Sequence, residues 1–70
     1  VIFMQRNHVS SSRIRSVGWE NDILEIEFND GSIYHYHNVS QSEYLSFIHS
    51  GSLGTALSQL DKVHSYNRVN

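Results

Sequence analysis

Hydrophobic and polar positions alternate through the first half of the chain, and their spacing changes to three and four residues in the second half. Residues 23–28 alternate strictly between apolar and acidic side chains, which is typical of an antiparallel strand with one buried face. Residues 13–19 predict a preceding strand that is interrupted by a β-bulge at Gly18. Asn21-Asp22 predicts the turn between these two strands.

The second turn is Asn-Asp-Gly at residues 29–31, and its length decides which side chains of the next strand are buried. That strand contains Tyr34, His35, Tyr36 and His37. A three-residue loop ending on a left-handed glycine puts both tyrosines on the core face and both histidines on the outer face, beside Glu25 and Glu27. A two-residue Asp-Gly loop would shift the register by one residue and bury the histidines. We favour the three-residue loop because tyrosine rings fill a core better than imidazole rings.

Two short helices are predicted after these strands. Ser40 and Glu43 form a capping box that starts the first helix, and Gly51 supplies a left-handed residue at which it stops. Ser52 caps a second helix whose apolar positions are spaced i, i+3, i+4 and i+7. Residues 64–70 read as a short last strand. The predicted fold class is α+β, with an antiparallel three-stranded meander, two short helices and a C-terminal strand that returns to the sheet.

Length and composition restrict the classes of function. The chain has 70 residues and no cysteine, so we expect one small domain without a disulfide, a thiolate nucleophile or a thiolate metal ligand. No apolar run approaches the ~20 residues that span a membrane, and no signal peptide is evident, so we expect a cytoplasmic protein without a membrane partner. The formal net charge of −2 argues against bulk electrostatic binding of nucleic acid.

The charges are separated along the chain. Residues 1–19 carry three arginines and no acid, whereas residues 20–43 carry six acids and no lysine or arginine. This distribution is typical of a molecule that self-associates or orients an anion. Arg6 is expected to be an ordinary solvated charge.

Two short segments have the chemistry of an anion site. Ser11 and Ser12 precede Arg13, and hydroxyls, backbone amides and a guanidinium together can hold a phosphate or carboxylate. The alternative is a polar segment that leads into the strand. Ser52 and Gly54 begin the second helix, where free N–H groups attract an anion and glycine permits close approach. The alternative there is a simple cap and a packing glycine.

The C-terminal segment adds an aromatic ring and a guanidinium. If the last strand lies beside the first, Arg68 and Arg13 approach the serines and form one anion site. His35 and His37 are weak candidates for a metal site, with Glu25 or Glu27 as a third ligand, although surface histidines are the commoner case. We predict no catalytic residue and no cofactor. The candidate ligand-binding residues are Ser11, Ser12, Arg13, Trp19, Ser52, Gly54, Tyr66 and Arg68.

Several short motifs together resemble one family, the KTSC domain. The segments VSSSRI at 9–14 and VGW at 17–19 resemble its opening, which reads V-x-S-S-x-I and then an aliphatic residue, glycine and an aromatic residue. The segments LEIEF at 24–28 and GSIYHY at 31–36 resemble its central hairpin, and SLG at 52–54 and YNRV at 66–69 resemble its small-residue turn and basic tail. The chain departs from the family pattern at Trp19, at Ser40 and in the three residues after Gly54.

The resemblance predicts a domain at residues 8–70 with an N-terminal extension at residues 1–7. The family is named for the C-terminus of some lysyl-tRNA synthetases and occurs as small stand-alone proteins in bacteria and their phages. It implies no general enzymatic activity. The main hypothesis rests on the hydroxyl–arginine cluster, the N-terminus of the second helix and the stackable tyrosine and tryptophan: a non-enzymatic module that captures a small phosphate-bearing ligand, such as a nucleotide or a nucleotide second messenger.

A chain this short has little room for an enclosed pocket, so we expect the site at a subunit boundary in a symmetric homo-oligomer. A phage or prophage accessory protein that sequesters a host signal would fit. One alternative is a domain that binds RNA or single-stranded nucleic acid through Arg13, Arg15, Arg68, Trp19 and Tyr66. Another is a protein-interaction adaptor that pairs through an edge strand at residues 12–19 or 64–70. A hydrolase or metalloenzyme that uses His35, His37 or His64 ranks last.

Overall fold

The computed structural model describes residues 5–70, so residues 1–4 of the predicted extension lie outside the described residues. The elements are β1 (Asn7–His8), β2 (Ile14–Glu20), β3 (Ile23–Phe28), β4 (Ile33–Tyr36), α1 (Gln41–Ile48), α2 (Leu53–Val63) and β5 (Tyr66–Arg68). The strands lie across one sheet in chain order, and each neighbouring pair is antiparallel. The predicted α+β class is confirmed. The sheet has five strands because Asn7–His8 adds a short strand that no alternation in the sequence indicates.

The predicted register of the β3–β4 hairpin is confirmed. Gly31 has a φ of 91°, in the left-handed region, and its N–H donates to the carbonyl of Phe28 at 2.9 Å. The N–H of Phe28 donates to the carbonyl of Ser32, also at 2.9 Å. Tyr34 and Tyr36 consequently lie on the same face as the alternating apolar residues of β3, opposite Ile26 and Leu24 respectively. The turn between β2 and β3 is also as predicted.

The β-bulge predicted at Gly18 lies earlier in β2. Gly18 keeps the regular register, whereas the register shifts between Ile14 and Ser16, with Arg15 as the additional residue. Ile14 and Val17 are three residues apart, so a regular strand would direct their side chains to opposite faces. The bulge allows both side chains to enter the core, where each is 1% exposed. The prediction of a bulge at Gly18 was wrong because the position of the bulge is set by the burial of two apolar side chains and not by the presence of a glycine.

Both helices begin at the predicted caps. The hydroxyl of Ser40 accepts the N–H of Glu43 at 3.1 Å, and the carboxylate of Glu43 accepts the N–H of Ser40 at 3.0 Å. This is the predicted capping box of α1. At the start of α2, the hydroxyl of Ser52 accepts the N–H of Thr55 at 3.4 Å.

The predicted left-handed stop at Gly51 was wrong. Among the described glycines, Gly31 is the one with a positive φ. Helix α1 ends instead at its C-cap residue His49, whose N–H donates to the carbonyl of Leu45 at 3.1 Å, and both the N–H and the hydroxyl of Ser50 donate to the carbonyl of Phe47, at 3.2 and 2.8 Å. Hydrogen bonds from Ser50 therefore satisfy a carbonyl at the end of the helix, which in other helices is often satisfied through a left-handed residue.

The core lies between the two helices and one face of the sheet. Helix α1 contributes Phe47, and the apolar stripe predicted for the second helix contributes Leu57 and Leu60. The buried residues of the core are Ile14, Val17, Leu24, Ile26, Tyr36, Val39, Phe47, Leu57 and Leu60.

The opposite face of the sheet carries a polar cluster, which we call the ion cluster: Arg6, Ser16, Glu25, Glu27 and His35. Glu25 is fully buried, and its carboxylate contacts the guanidinium of Arg6 and lies 2.7 Å from Nε2 of His35. Arg6 also donates from Nε to Ser16 at 2.8 Å. The expectation of a solvated Arg6 was wrong, because its side chain is 18% exposed and covers a buried carboxylate.

Candidate functional site

Two grooves open on the surface and meet at the start of β2. Ser12 lines both of them. The preceding residue, Ser11, holds the chain in place there, because its hydroxyl accepts the N–H of Arg13 at 3.2 Å and that of Ile14 at 3.3 Å. The carbonyl of Ser12 accepts an N–H of the Asn29 side chain at 2.9 Å, which ties this segment to the β3–β4 turn.

The first groove, which we call the tyrosine groove, has a volume of about 470 Å³. Its aromatic lining is continuous. The rings of Tyr36 and Tyr66 stack with centroids 4.9 Å apart, and Tyr34 lies 6.1 Å from Tyr66 and 5.5 Å from Phe28. Its polar and charged residues are Ser12, Arg13, Asn29, Asp30, Ser32 and Asp61.

A short hydrogen bond joins two of the residues that line the tyrosine groove. The hydroxyl of Tyr36 donates to the carboxylate of Asp61, on α2, at 2.6 Å. Burial, together with this hydrogen bond, raises the pKa of Tyr36 far above its ordinary value. The phenol therefore stays protonated, and its hydrogen bond holds the side chain of Asp61 in place beside the groove.

Asp30 adds a second negative charge to the lining of the same groove. Its carboxylate accepts both the hydroxyl and the N–H of Ser32, at 2.7 and 2.9 Å. These hydrogen bonds, with a smaller contribution from the charge of Arg68, hold the pKa of Asp30 below its ordinary value. The lining of the tyrosine groove is therefore aromatic and includes two acidic residues, Asp30 and Asp61.

The second groove, which we call the serine groove, has a volume of about 440 Å³ and lies against the first turn of α2. No acidic residue lines it among residues 5–70. Free backbone N–H groups are a general property of the first turn of a helix. Its lining is Val9, Ser10, Ser11, Ser12, Ile48, Ser50, Gly51, Ser52, Leu53 and Gly54.

Arg13 lies between α2 and β3, at the junction of the two grooves. A Cβ atom placed on Gly54 would lie 3.6 Å from Cδ of Arg13, so the arginine stem passes over the helix at its glycine. The guanidinium carbon lies 5.9 Å from the centroid of the Phe28 ring, which is the range of a cation–π contact. The guanidinium is thus held at the edge of the tyrosine groove.

The structure brings together six of the eight residues predicted for ligand binding. Ser12, Arg13 and Tyr66 line the tyrosine groove, and Ser11, Ser12, Ser52 and Gly54 line the serine groove. Two others lie elsewhere. The indole of Trp19 donates to the carbonyl of Val39 at 2.7 Å and stacks on the ring of Tyr44, outside both grooves.

Arg68 lies on β5, which pairs with β4 and not with β2, the strand that the sequence analysis predicted as the first, because β1 already occupies the free edge of β2. Arg68 lies opposite Tyr34, and its Nε donates to the carbonyl of Asn70 at 2.9 Å. The condition for one site formed by Arg68, Arg13 and the serines, a last strand beside the first, is therefore not met. The alternative of an edge strand at residues 12–19 was wrong, since β2 has a neighbour on each side.

The histidines are engaged elsewhere. His35 belongs to the ion cluster, Nε2 of His37 lies 2.5 Å from the amide oxygen of Asn67, and Nε2 of His64 lies 2.7 Å from the carboxylate of Glu43. No group of three or more histidines and acids that could hold a metal ion occurs within residues 5–70. Across the same residues, no helix is long and apolar enough to cross a membrane.

Sequence reasoning missed seven residues of the tyrosine groove. Phe28, Tyr34 and Tyr36 were assigned to the core, Asn29 and Asp30 to a turn, and Ser32 and Asp61 received no role in the site. The strand pattern gave the correct face, but the helices cover that face only in part and leave the ring of Tyr34 half-exposed. The one available signal was Asp61 itself, a carboxylate adjacent to the apolar stripe of α2.

The sheet, the two helices on one of its faces and the two grooves define a small α+β domain with surface sites. The crystal structure of a KTSC domain protein from Yersinia pestis is similar, with a TM-score of 0.86 and 32% identity, covering 94% of this chain and 97% of the other. An uncharacterised protein of Stutzerimonas stutzeri is 35% identical over 65 residues, which cover 90% of this chain and 92% of that protein. The family model of the KTSC domain matches residues 10–66. The chain belongs to the KTSC domain family.

Proposed function

We propose that this protein is a non-enzymatic binding module for a small ligand that combines a phosphate group with a planar ring, such as a nucleotide or a nucleotide second messenger. The observation that carries this proposal is the junction at Ser12 and Arg13. An aromatic groove and a serine-lined groove meet there, with a guanidinium between them. A ligand lying across the junction would use both grooves at once.

The charges of the two grooves give the ligand a direction. Asp30 and Asp61 line the tyrosine groove and would repel a phosphate placed there. The serine groove combines serine hydroxyls with the N-terminus of α2, and both are favourable for an anion. The phosphate group therefore lies in the serine groove and contacts Arg13, while the rest of the ligand extends into the tyrosine groove.

The tyrosine groove suits the ring of a nucleotide. Tyr66 is 48% exposed although its ring stacks on Tyr36, so one of its faces is open to a planar ligand. Stacking of a base on an aromatic side chain contributes about 1–3 kcal/mol. Asp61 can accept a hydrogen bond from an exocyclic amine or a sugar hydroxyl, since Tyr36 holds its carboxylate in position.

Two further observations support binding without catalysis. No histidine within residues 5–70 lines either groove, so neither groove contains the commonest general base. The grooves are open, and an open site does not exclude water as most catalytic sites do. A module of this kind acts by holding its ligand, which would suit an accessory protein that sequesters a signal in the cytoplasm.

Binding of RNA or a single strand is a weaker proposal. Of the three arginines assigned to it, only Arg13 lines a groove, and Arg15 donates to the carbonyl of Asn29 at 2.9 Å and pairs with Glu27. Trp19, assigned as a stacking surface, is bonded to the backbone instead. One arginine and several acids do not form the basic surface that a strand requires.

Calorimetric titration with AMP, adenosine and inorganic phosphate tests the proposed function. We expect AMP to bind more tightly than either of its parts, because each groove contributes. Arg13→Ala should weaken AMP binding by about 10- to 100-fold, the loss of one hydrogen bond to a charged group. Arg15→Ala is the matched control, since it removes the same charge two residues away, outside both grooves, and should leave the affinity unchanged.

Other results would overturn the proposal. Equal losses in the Arg13→Ala and Arg15→Ala proteins would mean that only the overall charge matters. Absence of binding by all three probes would remove the nucleotide class. Preferential binding of an oligonucleotide, with an affinity that falls steeply with salt, would favour the nucleic-acid alternative.

A further inference from the structure

Strand β5 is the last strand in the sheet order, and its three residues are exposed. Antiparallel strands use every second residue for hydrogen bonds to one neighbour, and the residues between them face the other side. Ser65 accepts the N–H of His37, and Val69 donates to the carbonyl of Ile33. The backbone N–H and carbonyl groups of residues 65, 67 and 69 therefore point toward β4, and those of Tyr66 and Arg68 point toward the open edge.

On both sides of Tyr66 and Arg68, the neighbouring residues use their backbone groups in hydrogen bonds within the chain. Before it, the N–H of His64 donates to the carbonyl of Leu60 and closes α2. After it, Asn70 turns back toward β4, because it both accepts the N–H of Ile33 and donates to its carbonyl. The edge thus offers two N–H groups and two carbonyls, arranged symmetrically around Asn67.

We propose that β5 pairs with β5 of a second copy of this chain in an antiparallel, two-fold arrangement centred on Asn67. Tyr66 then lies opposite Arg68 of the partner subunit, and Arg68 lies opposite the partner subunit's Tyr66. This is the one antiparallel register that uses all four free backbone groups of each edge, because any shift places a free group against residue 64 or 70. The edge is therefore complementary to itself, as a two-fold interface requires.

The same register completes the tyrosine groove. Residues opposite each other in neighbouring strands share a face of the sheet, so the row Leu24, Tyr36 and Tyr66 continues to Arg68 of the partner subunit. The partner subunit's Arg68 then lies beside Tyr66, which is 48% exposed in the single chain. Each groove then has a further positive charge beside Tyr66, in addition to its own chain's Arg13 and to its own chain's Arg68, which lies opposite Tyr34.

A single cysteine reports this register directly, since the sequence contains no cysteine. In the proposed pairing, residue 67 of one subunit lies directly opposite residue 67 of the other, and the two form a non-hydrogen-bonded pair. The Cα atoms of such a pair are about 4.5 Å apart, which permits a disulfide. Asn67→Cys should give a covalent dimer under mild oxidation. Ser65→Cys is the matched control, because the two copies of residue 65 lie about 13 Å apart along the strands and should not crosslink.

Three further variants, none of which contains a cysteine, test the edge by analytical ultracentrifugation of the full chain from micromolar to millimolar concentration. Arg68→Pro removes an N–H that faces the open edge and is not used by β4, so we expect a folded monomer. Arg68→Ala keeps that N–H and should remain a dimer. His8→Pro places the same block on the opposite edge strand, β1, and should also remain a dimer.

The proposal is overturned if the unaltered chain is monomeric throughout this range, or if Ser65→Cys crosslinks as readily as Asn67→Cys. It is also overturned if His8→Pro and not Arg68→Pro abolishes the dimer. The pairing itself does not depend on the proposed function, whereas the role of the partner's Arg68 in ligand binding does. A dimer in which Arg68→Ala leaves AMP affinity unchanged would support the pairing and reject that role.

Discussion

At the scale of single residues, the tyrosines of β4 differ in what their hydroxyls do. The hydroxyl of Tyr36 donates to Asp61, whereas the hydroxyl of Tyr34 makes no hydrogen bond within residues 5–70. Both rings lie on the same face and pack against the same core. The two positions therefore allow a comparison of a buried, hydrogen-bonded phenol with a partly exposed phenol on the same face.

Tyr36→Phe should lower the free energy of unfolding by about 0.5–1.5 kcal/mol, because it removes one hydrogen bond while keeping the ring. Tyr34→Phe should change it very little. Urea unfolding followed by circular dichroism measures both. Equal losses in the two variants would mean that the bond to Asp61 contributes nothing to stability.

At the scale of elements, the start of α1 couples a helix cap to pH. The backbone N–H of Ser40, followed by the side chain of His64, holds the pKa of Glu43 below its ordinary value. A carboxyl whose pKa is lowered in the folded state stabilises the fold above its ordinary pKa, and this contribution is lost as the pH falls through the folded value. Asp30 acts in the same direction.

Glu43→Gln separates the charge from the cap, because glutamine at this position still completes a capping box. We expect the variant to be less stable than the unaltered chain at neutral pH, and the difference to close below the ordinary carboxyl pKa of 4.5. Unfolding in urea between about pH 3 and pH 7 measures it. Ser40→Ala should instead cost about 0.5–2 kcal/mol through loss of the hydroxyl cap. A difference for Glu43→Gln that does not vary with pH would contradict the assignment.

The elements that were predictable from sequence are those fixed by neighbouring residues. The Asn-Asp-Gly turn and the alternation of β3 determine the hairpin register, and Ser40 with Glu43 determines the start of α1. The bulge in β2 and the end of α1 without a left-handed residue were not predictable, because alternative local solutions have similar free energies and tertiary packing selects among them. The same distinction applies to the site. Ser12 and Arg13 stand out in the sequence, whereas Asp61 reaches the groove only through the packing of α2.

At the scale of the whole molecule, the sheet is stabilised in different ways on its two faces. The helices cover one face with apolar side chains, and the ion cluster covers part of the other. Arg6 and Glu25 are 19 residues apart in the chain, so no local pattern indicated their contact. Because Glu25 is buried and contacts Arg6, we expect the stability of this small domain to depend on a residue near its N-terminus.

Arg6→Ala should be the most destabilising of the substitutions considered, because it leaves Glu25 buried without its guanidinium partner. Removing one member of a buried ion pair costs about 3–5 kcal/mol, against a total stability of about 4–10 kcal/mol for a chain of this length. Arg15→Ala is the matched control, since Arg15 is 48% exposed and pairs with Glu27 at 3.7 Å, a contact typically contributing less than about 1 kcal/mol. Adding Glu25→Gln to the Arg6→Ala protein should recover part of the loss, because a neutral side chain tolerates burial better than a carboxylate. Urea unfolding of Arg6→Ala, Glu25→Gln and the double variant measures the coupling between these two side chains. If the two losses of stability simply add, Arg6 and Glu25 stabilise the fold independently.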